Sequence, residues 1–181
     1  FNKPFFLFVG SLRNYKGIHH LLEAAQSIKE HFVVIGGGKN FSFWKKYVDD
    51  QKLTNVHMLG FLDDVDKFAI LKKCMCLVLP SSHRSEAFGM VLLEASICSK
   101  PMISTELGTG TSFVNLNHQT GLVIEAGNTE QLVDACHFII NNPKLASKMG
   151  KNARQRYEST FTAEKMCASY AEIYRQLLDD S

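Results

Sequence analysis

The sequence predicts an α/β fold: a doubly wound parallel sheet of about six strands with helices on both faces. Three observations carry this expectation. Short apolar runs alternate with amphipathic stretches along almost the whole chain. The stretches between successive runs are long enough to hold a helix, and strands spaced in that way form right-handed βαβ units in a parallel sheet. The 181 residues also suffice for one sizeable domain with a full core, at an ordinary 45% hydrophobic and 21% charged content.

Taken in order, Phe5–Val9 reads as the first strand, followed by a helix from about Gly17 to Lys29. Phe32–Ile35 is the next strand, closed by Gly36-Gly37-Gly38. A helix from about Phe43 to Gln51 leads to the strand Val56–Leu59. Asp63-Asp64 caps a helix that runs to about Lys73, because short acidic side chains satisfy free N–H groups at a helix start. Cys76–Leu79 is a buried strand ending at Pro80-Ser81-Ser82, and a helix follows over Phe88–Ser99 with Met90–Ile97 as its body. Met102–Ser104 is the fifth strand. A Gly/Thr-rich loop leads to a sixth, Thr120–Ile124, and helices fill most of the rest to Asp180. Residues 1–181 form a single Rossmann-like domain without internal repeat, low-complexity segment or linker.

Composition removes several function classes. A net charge of +2 gives no footprint for nucleic acid or a membrane surface. No apolar run approaches the ~18 residues of a membrane span. Four of the five cysteines sit in apolar strand or helix patterns, which reads as reduced core thiols in a cytoplasmic setting. Cys74-Met75-Cys76 lacks a second Cys/His pair at zinc spacing, so no metal site is expected. The chain opens on Phe1 and enters a strand at once, which reads as a piece cut at a domain boundary.

The stretch with the most chemistry is Ser85-Glu86-Ala87-Phe88-Gly89-Met90, continuing through an apolar run to Glu94. It lies in a strand, loop and helix, and ligands of open α/β sheets sit just outside the carboxyl ends of strands. With a helix starting near Phe88, Glu94 stands roughly 9 Å further along the axis. The ribose and hexose of a nucleotide-sugar are separated by a comparable distance. One carboxylate could therefore hold ribose hydroxyls while the other faces the sugar, with helix N-terminal N–H groups between them for the phosphates. The competing reading is a loop acid and a solvated helix acid.

Other candidates surround this pair. Gly10, Ser11, Arg13 and Lys16 occupy the loop after the first strand, where a tight turn and a cation suit a diphosphate. That loop is neither a P-loop nor a dinucleotide fingerprint. Gly36 permits close backbone approach, and Gly60-Phe61-Leu62 could present backbone groups to a base. Asp63-Asp64-Val65-Asp66 contains an Asp-x-Asp pattern, read here as helix capping rather than metal binding. Arg84, beside His83, suits a phosphate or sugar hydroxyl. His19-His20 reads as packing or surface. Thr109 lies in the loop Glu106–Ser112, whose glycines and hydroxyls could line the same pocket.

Together these residues resemble the retaining, GT-B-type glycosyltransferases of the large group 1 family, over nearly the whole chain. The marks are Glu86-Ala-Phe-Gly89 with Glu94, and Phe8-Val-Gly10 with Lys16-Gly17. Supporting marks are Pro80-Ser81, Thr120-Gly121-Leu122-Val123 and the tail from Phe161-Thr162-Ala163 to Tyr174. The resemblance implies the C-terminal, donor-binding half of such an enzyme, with an N-terminal acceptor-binding half absent from this piece. It implies that Glu94 binds the ribose, Lys16 the diphosphate and Glu86 the donor sugar, while the backbone of Phe88, Gly89 and Met90 meets sugar or phosphate. Two departures stand out: Ser11, where the family often has Arg, with Arg13 as the candidate replacement, and Ser112, where many members carry an acid. Ser82–Gly89 and Glu106–Asn115 are similar to a narrower subgroup, bacterial mannosyltransferases of O-antigen and related surface polysaccharides.

The implied reaction is retaining transfer of mannose from GDP-mannose to a glycan or lipid-linked acceptor. Front-face attack is expected, with Lys16 and Glu86 as the catalytic pair and neither cofactor nor metal. A UDP-sugar donor, a sugar-nucleotide epimerase, a phosphorylase and a non-catalytic nucleotide-binding module remain as alternatives. The implied location is the cytoplasm, with peripheral docking of the full enzyme at the inner membrane face.

Overall fold

The structure, a computed structural model, describes residues 3–179. Six strands form one parallel sheet: β1 (Phe5–Val9), β2 (His31–Ile35), β3 (Val56–Gly60), β4 (Cys76–Leu79), β5 (Met102–Glu106) and β6 (Gly121–Glu125). Their spatial order is β3-β2-β1-β4-β5-β6. Phe5 pairs with His31 across β1 and β2, and Leu7 with Leu77 across β1 and β4. Winding therefore reverses between β1 and β4, and a crevice opens where the loops leaving these two strands diverge.

The helices are α1 (Ile18–Ala25), α2 (Phe41–Asp50), α3 (Asp64–Leu71), α4 (Met90–Ile97), α5 (Gly110–Val114), α6 (Thr129–Asn141), α7 (Pro143–Arg156) and α8 (Ala163–Asp179). Strand side chains alternate in direction, so each strand feeds two cores. Phe6 and Phe8 of β1 join Val34, Cys76 and Val78 against Leu21 and Leu22 of α1 and Leu132 and Cys136 of α6. Phe5 and Leu7 join Val33, Ile35 and Leu77 against Leu71 of α3 and Leu92 and Ala95 of α4. Burying each such Phe or Leu contributes about 1.5–3 kcal/mol, which is why β1, buried on both faces, anchors the fold.

All six strands fall where the sequence puts them, with ends moved by one or two residues. Asp63 caps α3 as expected, its carboxylate accepting from the Asp66 N–H at 2.9 Å. Three differences bear on the site. Residues 110–114, expected as loop, form α5, because Thr111 and Val114 turn inward and are buried. Helix α1 starts at Ile18 after a separate 3₁₀ turn, Asn14–Lys16. Helix α4 starts at Met90 rather than Phe88, since Gly89 takes a left-handed conformation at its cap (φ 76°). Glu94 thus stands about 6 Å along the axis, not 9 Å. The expected end at Asp180 lies outside the described residues.

Gly17 shows how tightly the two central loops meet. It has φ 71°, and a Cβ there would lie 1.8 Å from the carbonyl oxygen of Pro80. Both the left-handed backbone and the backbone clash oppose any other residue. Gly17→Ala is expected to cost at least about 2 kcal/mol, lowering the thermal midpoint by about 4 °C or more in a chain of this size. An unchanged melting curve would contradict this packing.

Candidate functional site

The site grows from the crevice between β1 and β4. After β1 the chain turns under Gly10, whose N–H donates to Ile35 O, and the Leu12 N–H donates to Gly37 O. The 3₁₀ turn then carries Lys16 toward the β4 side, where Ser82 N–H donates to Tyr15 O at 2.8 Å. The aliphatic stem of Lys16 passes Gly10, within 3.7 Å of where a Cβ there would stand. Its Nζ meets Glu86 Oε2 at 2.5 Å, and Ser81 Oγ donates to the same oxygen at 2.9 Å. Glu86 is only 6% exposed. A carboxylate so deeply buried is tolerable because a cation and a hydroxyl both serve it.

The segment bearing Glu86 is pinned from the neighbouring loop. Thr109 Oγ1 donates to Glu86 O and Gly110 N–H to Ala87 O, each at 2.8 Å. The Phe88 ring turns away to meet Phe161 edge-on at 6.3 Å. Beyond Gly89, α4 opens with Met90, which is 64% exposed. The unpaired N–H groups and positive dipole end of α4 lie at this start.

One turn further, Glu94 enters a second ion pair. Its Oε1 is 3.0 Å from Lys67 Nζ, and Lys67 in turn is 2.8 Å from Asp64 Oδ1. Burial by itself would lower the Lys67 pKa, but the hydrogen bonds that the ammonium donates to Asp64 and Glu94 outweigh it and hold the group above its ordinary value. The other Glu94 oxygen, Oε2, is buried and has no hydrogen-bond partner.

Beside these pairs lies a cleft of about 500 Å³. Gly10, Ser11, Gly36 and Leu62 line it, together with Asp64 and Lys67. The exposed ring of Phe61 also stands on its wall. A cavity of about 710 Å³ adjoins it across Ser11 and holds Arg13, Asn14 and Lys39.

Gly10, Ser11, Gly36 and Leu62 therefore line one cleft, the Lys16 stem passes Gly10 on its way to Glu86, and Glu94 reaches the cleft wall through Lys67. Thr109 contributes as a strut rather than as a lining group. Phe88 packs away from the cleft, so only its backbone can serve a ligand. Arg13 is exposed in the adjoining cavity, because the 3₁₀ turn points it away from Lys16. Arg84 is exposed and lines neither cavity. Sequence reasoning missed Ser81, Asp64 and Lys67 as site groups. Lys67 follows Asp64 by one helical turn just after a strand end, but its facing Glu94 depends on how α3 and α4 pack. Among the described residues, no group of three or more His, Cys, Asp or Glu could hold a metal ion. Nor is any helix there long and apolar enough to cross a membrane.

Comparison with known proteins follows the same outline. The chain is 41% identical over 175 residues to the O-antigen chain mannosyltransferase C of Escherichia coli, which covers 97% of this chain and 47% of that protein. It is 44% identical over 159 residues to the D-rhamnosyltransferase WbpZ of Pseudomonas aeruginosa, covering 88% of this chain and 42% of that protein. Among solved structures, the sucrose-phosphate synthase of Thermosynechococcus elongatus superposes with a TM-score of 0.88 at 28% identity, over 99% of this chain and 47% of that one. The chain spans about half the length of the curated relatives it matches. The profile of the family described as "Glycosyl transferases group 1" matches residues 2–156, and with that match and these relatives the chain belongs to the group 1 glycosyl transferases.

Proposed function

We propose that this chain is the donor-binding domain of a retaining hexosyltransferase that takes mannose from GDP-mannose and passes it to a glycan or lipid-linked acceptor held by a second domain. One observation carries the reading: two carboxylate–lysine pairs, Glu86 with Lys16 and Glu94 with Lys67, flank the start of α4 beside a cleft at the switch point. The mannosyltransferase relative at 41% identity supports mannose as the sugar.

In this reading the diphosphate lies over the start of α4. Lys16 and the α4 amides stabilise the charge that develops on the departing GDP, and fixed donors of this kind cost no reorganisation during the reaction. Glu86 accepts a hydrogen bond from a sugar hydroxyl and fixes the anomeric carbon toward the acceptor. Glu94 accepts from the ribose diol. The 500 Å³ cleft takes the base against Phe61, whose exposed ring offers a stacking surface.

Asp64 supports guanine as that base. Guanine presents a ring N–H and an exocyclic amine side by side, and a carboxylate accepts such a pair through two oxygens. Uracil offers one N–H between two carbonyls, which a carboxylate repels. Titrating the chain with GDP, UDP and ADP is expected to show GDP bound tightest. Asp64→Asn should cut the advantage of GDP over UDP by about tenfold, since one bidentate base contact is worth about 1–3 kcal/mol. Tighter binding of UDP by the unaltered chain would discard the guanine assignment.

A further inference from the structure

Lys67 joins two carboxylates that stand on different helices. Its ammonium touches Asp64 on its own helix at 2.8 Å and Glu94 on α4 at 3.0 Å. The Lys67 side chain is only 14% exposed, against 85% for Asp64 and 26% for Glu94. This is therefore not a solvated surface pair. The cation and Asp64 both line the cleft, and through Lys67 the Glu94 carboxylate of α4 is tied to that wall. Its bond to Oε1 fixes the plane of the Glu94 carboxyl, leaving Oε2 buried without a hydrogen-bond partner. A buried acceptor in that condition is costly, and a ligand hydroxyl that reaches it recovers the cost.

We propose that Lys67 is a positioning residue: it presents the Glu94 carboxylate to the ribose diol of the donor nucleotide and ties that carboxylate to the base-facing Asp64. The proposal rests on the reading that Glu94 holds the ribose. Without Lys67 the Glu94 side chain is free to rotate toward solvent, and its two oxygens are no longer set for two adjacent hydroxyls. Preorganisation of this kind appears as discrimination between a ribonucleotide and its deoxy counterpart, not merely as affinity.

The test is calorimetric titration of the chain and its variants with GDP and with 2′,3′-dideoxy-GDP. The unaltered chain is expected to prefer GDP by about tenfold or more. Lys67→Met should bring the ratio to within about twofold, and Lys67→Arg, which keeps the charge and the donors, should restore most of it. A purely structural Lys67 would weaken both nucleotides alike, and an unchanged ratio in Lys67→Met would overturn the proposal while leaving the ribose reading intact. Equal binding of the two nucleotides by the unaltered chain, or binding of neither, would overturn the ribose reading and this proposal with it. Should Lys67→Met lose its fold by circular dichroism, Lys67→Gln is read in its place, with the same expected and overturning ratios.

Discussion

Lys16→Met is expected to destabilise the chain by about 3–5 kcal/mol, and adding Glu86→Gln is expected to recover most of that loss. The reason is the burial of the pair. Lys16 and Glu86 side chains are 14% and 8% exposed, and their charged atoms stand 2.5 Å apart. Removing the cation leaves a buried carboxylate with only the Ser81 hydroxyl, at 2.9 Å, to satisfy it. Neutralising Glu86 at the same time removes the uncompensated charge, so the double variant should lose far less stability than the sum of the two single losses. Denaturant unfolding of the four proteins measures the coupling directly. Strict additivity would mean that the two groups do not depend on one another in solution, contrary to the geometry.

A hydrophobic pair of similar size would be as stable or more so. The ion pair stands between the diverging β1 and β4 loops, where ligands of open α/β sheets are held. Lys16 and Glu86 neutralise each other in this structure. In the proposed complex, a diphosphate and a sugar supply each with a new partner without exposing either charge.

The chain states much of this openly. The strands are legible because β1 and β4 are runs of apolar residues buried on both faces, bounded by Gly10 and Pro80. Glu86 and Glu94 stand out as candidates because a loop acid and a helix acid flank a Phe-Gly turn that caps α4. Lys67 is not legible in this way: on its own helix it looks like the solvated partner of Asp64, and only the packing of α3 beside α4 turns it toward Glu94. Helix α5 escapes for a related reason. Gly110, Thr111 and Ser112 have weak helical preference, and it is the burial of Thr111 and Val114 that settles the segment. Arg13 is near Lys16 in sequence, but across the 3₁₀ turn it lies exposed on the wall of the adjoining cavity while Lys16 is held by Glu86.

The second large effect concerns Glu94. In the proposed complex it accepts from both ribose hydroxyls, and hydrogen bonds to a charged group are worth about 1.5–3 kcal/mol each. Glu94→Ala should therefore weaken nucleotide binding by about ten- to a hundredfold or more. The fold should tolerate the change, because Glu94 now holds one buried oxygen without a partner and Lys67 keeps Asp64. Sites that carry such unsatisfied groups tend to gain stability when the functional residue is removed.

The most direct measurement is calorimetric titration of GDP-mannose into the unaltered chain and into Glu94→Ala, with thermal unfolding of both as the control. Saturable one-site binding that the substitution weakens at least about tenfold, with the melting point held, is the result this account requires. Binding of equal strength in the two proteins, or no binding by the unaltered chain, would show that the cleft beside α4 is not where the donor nucleotide is held.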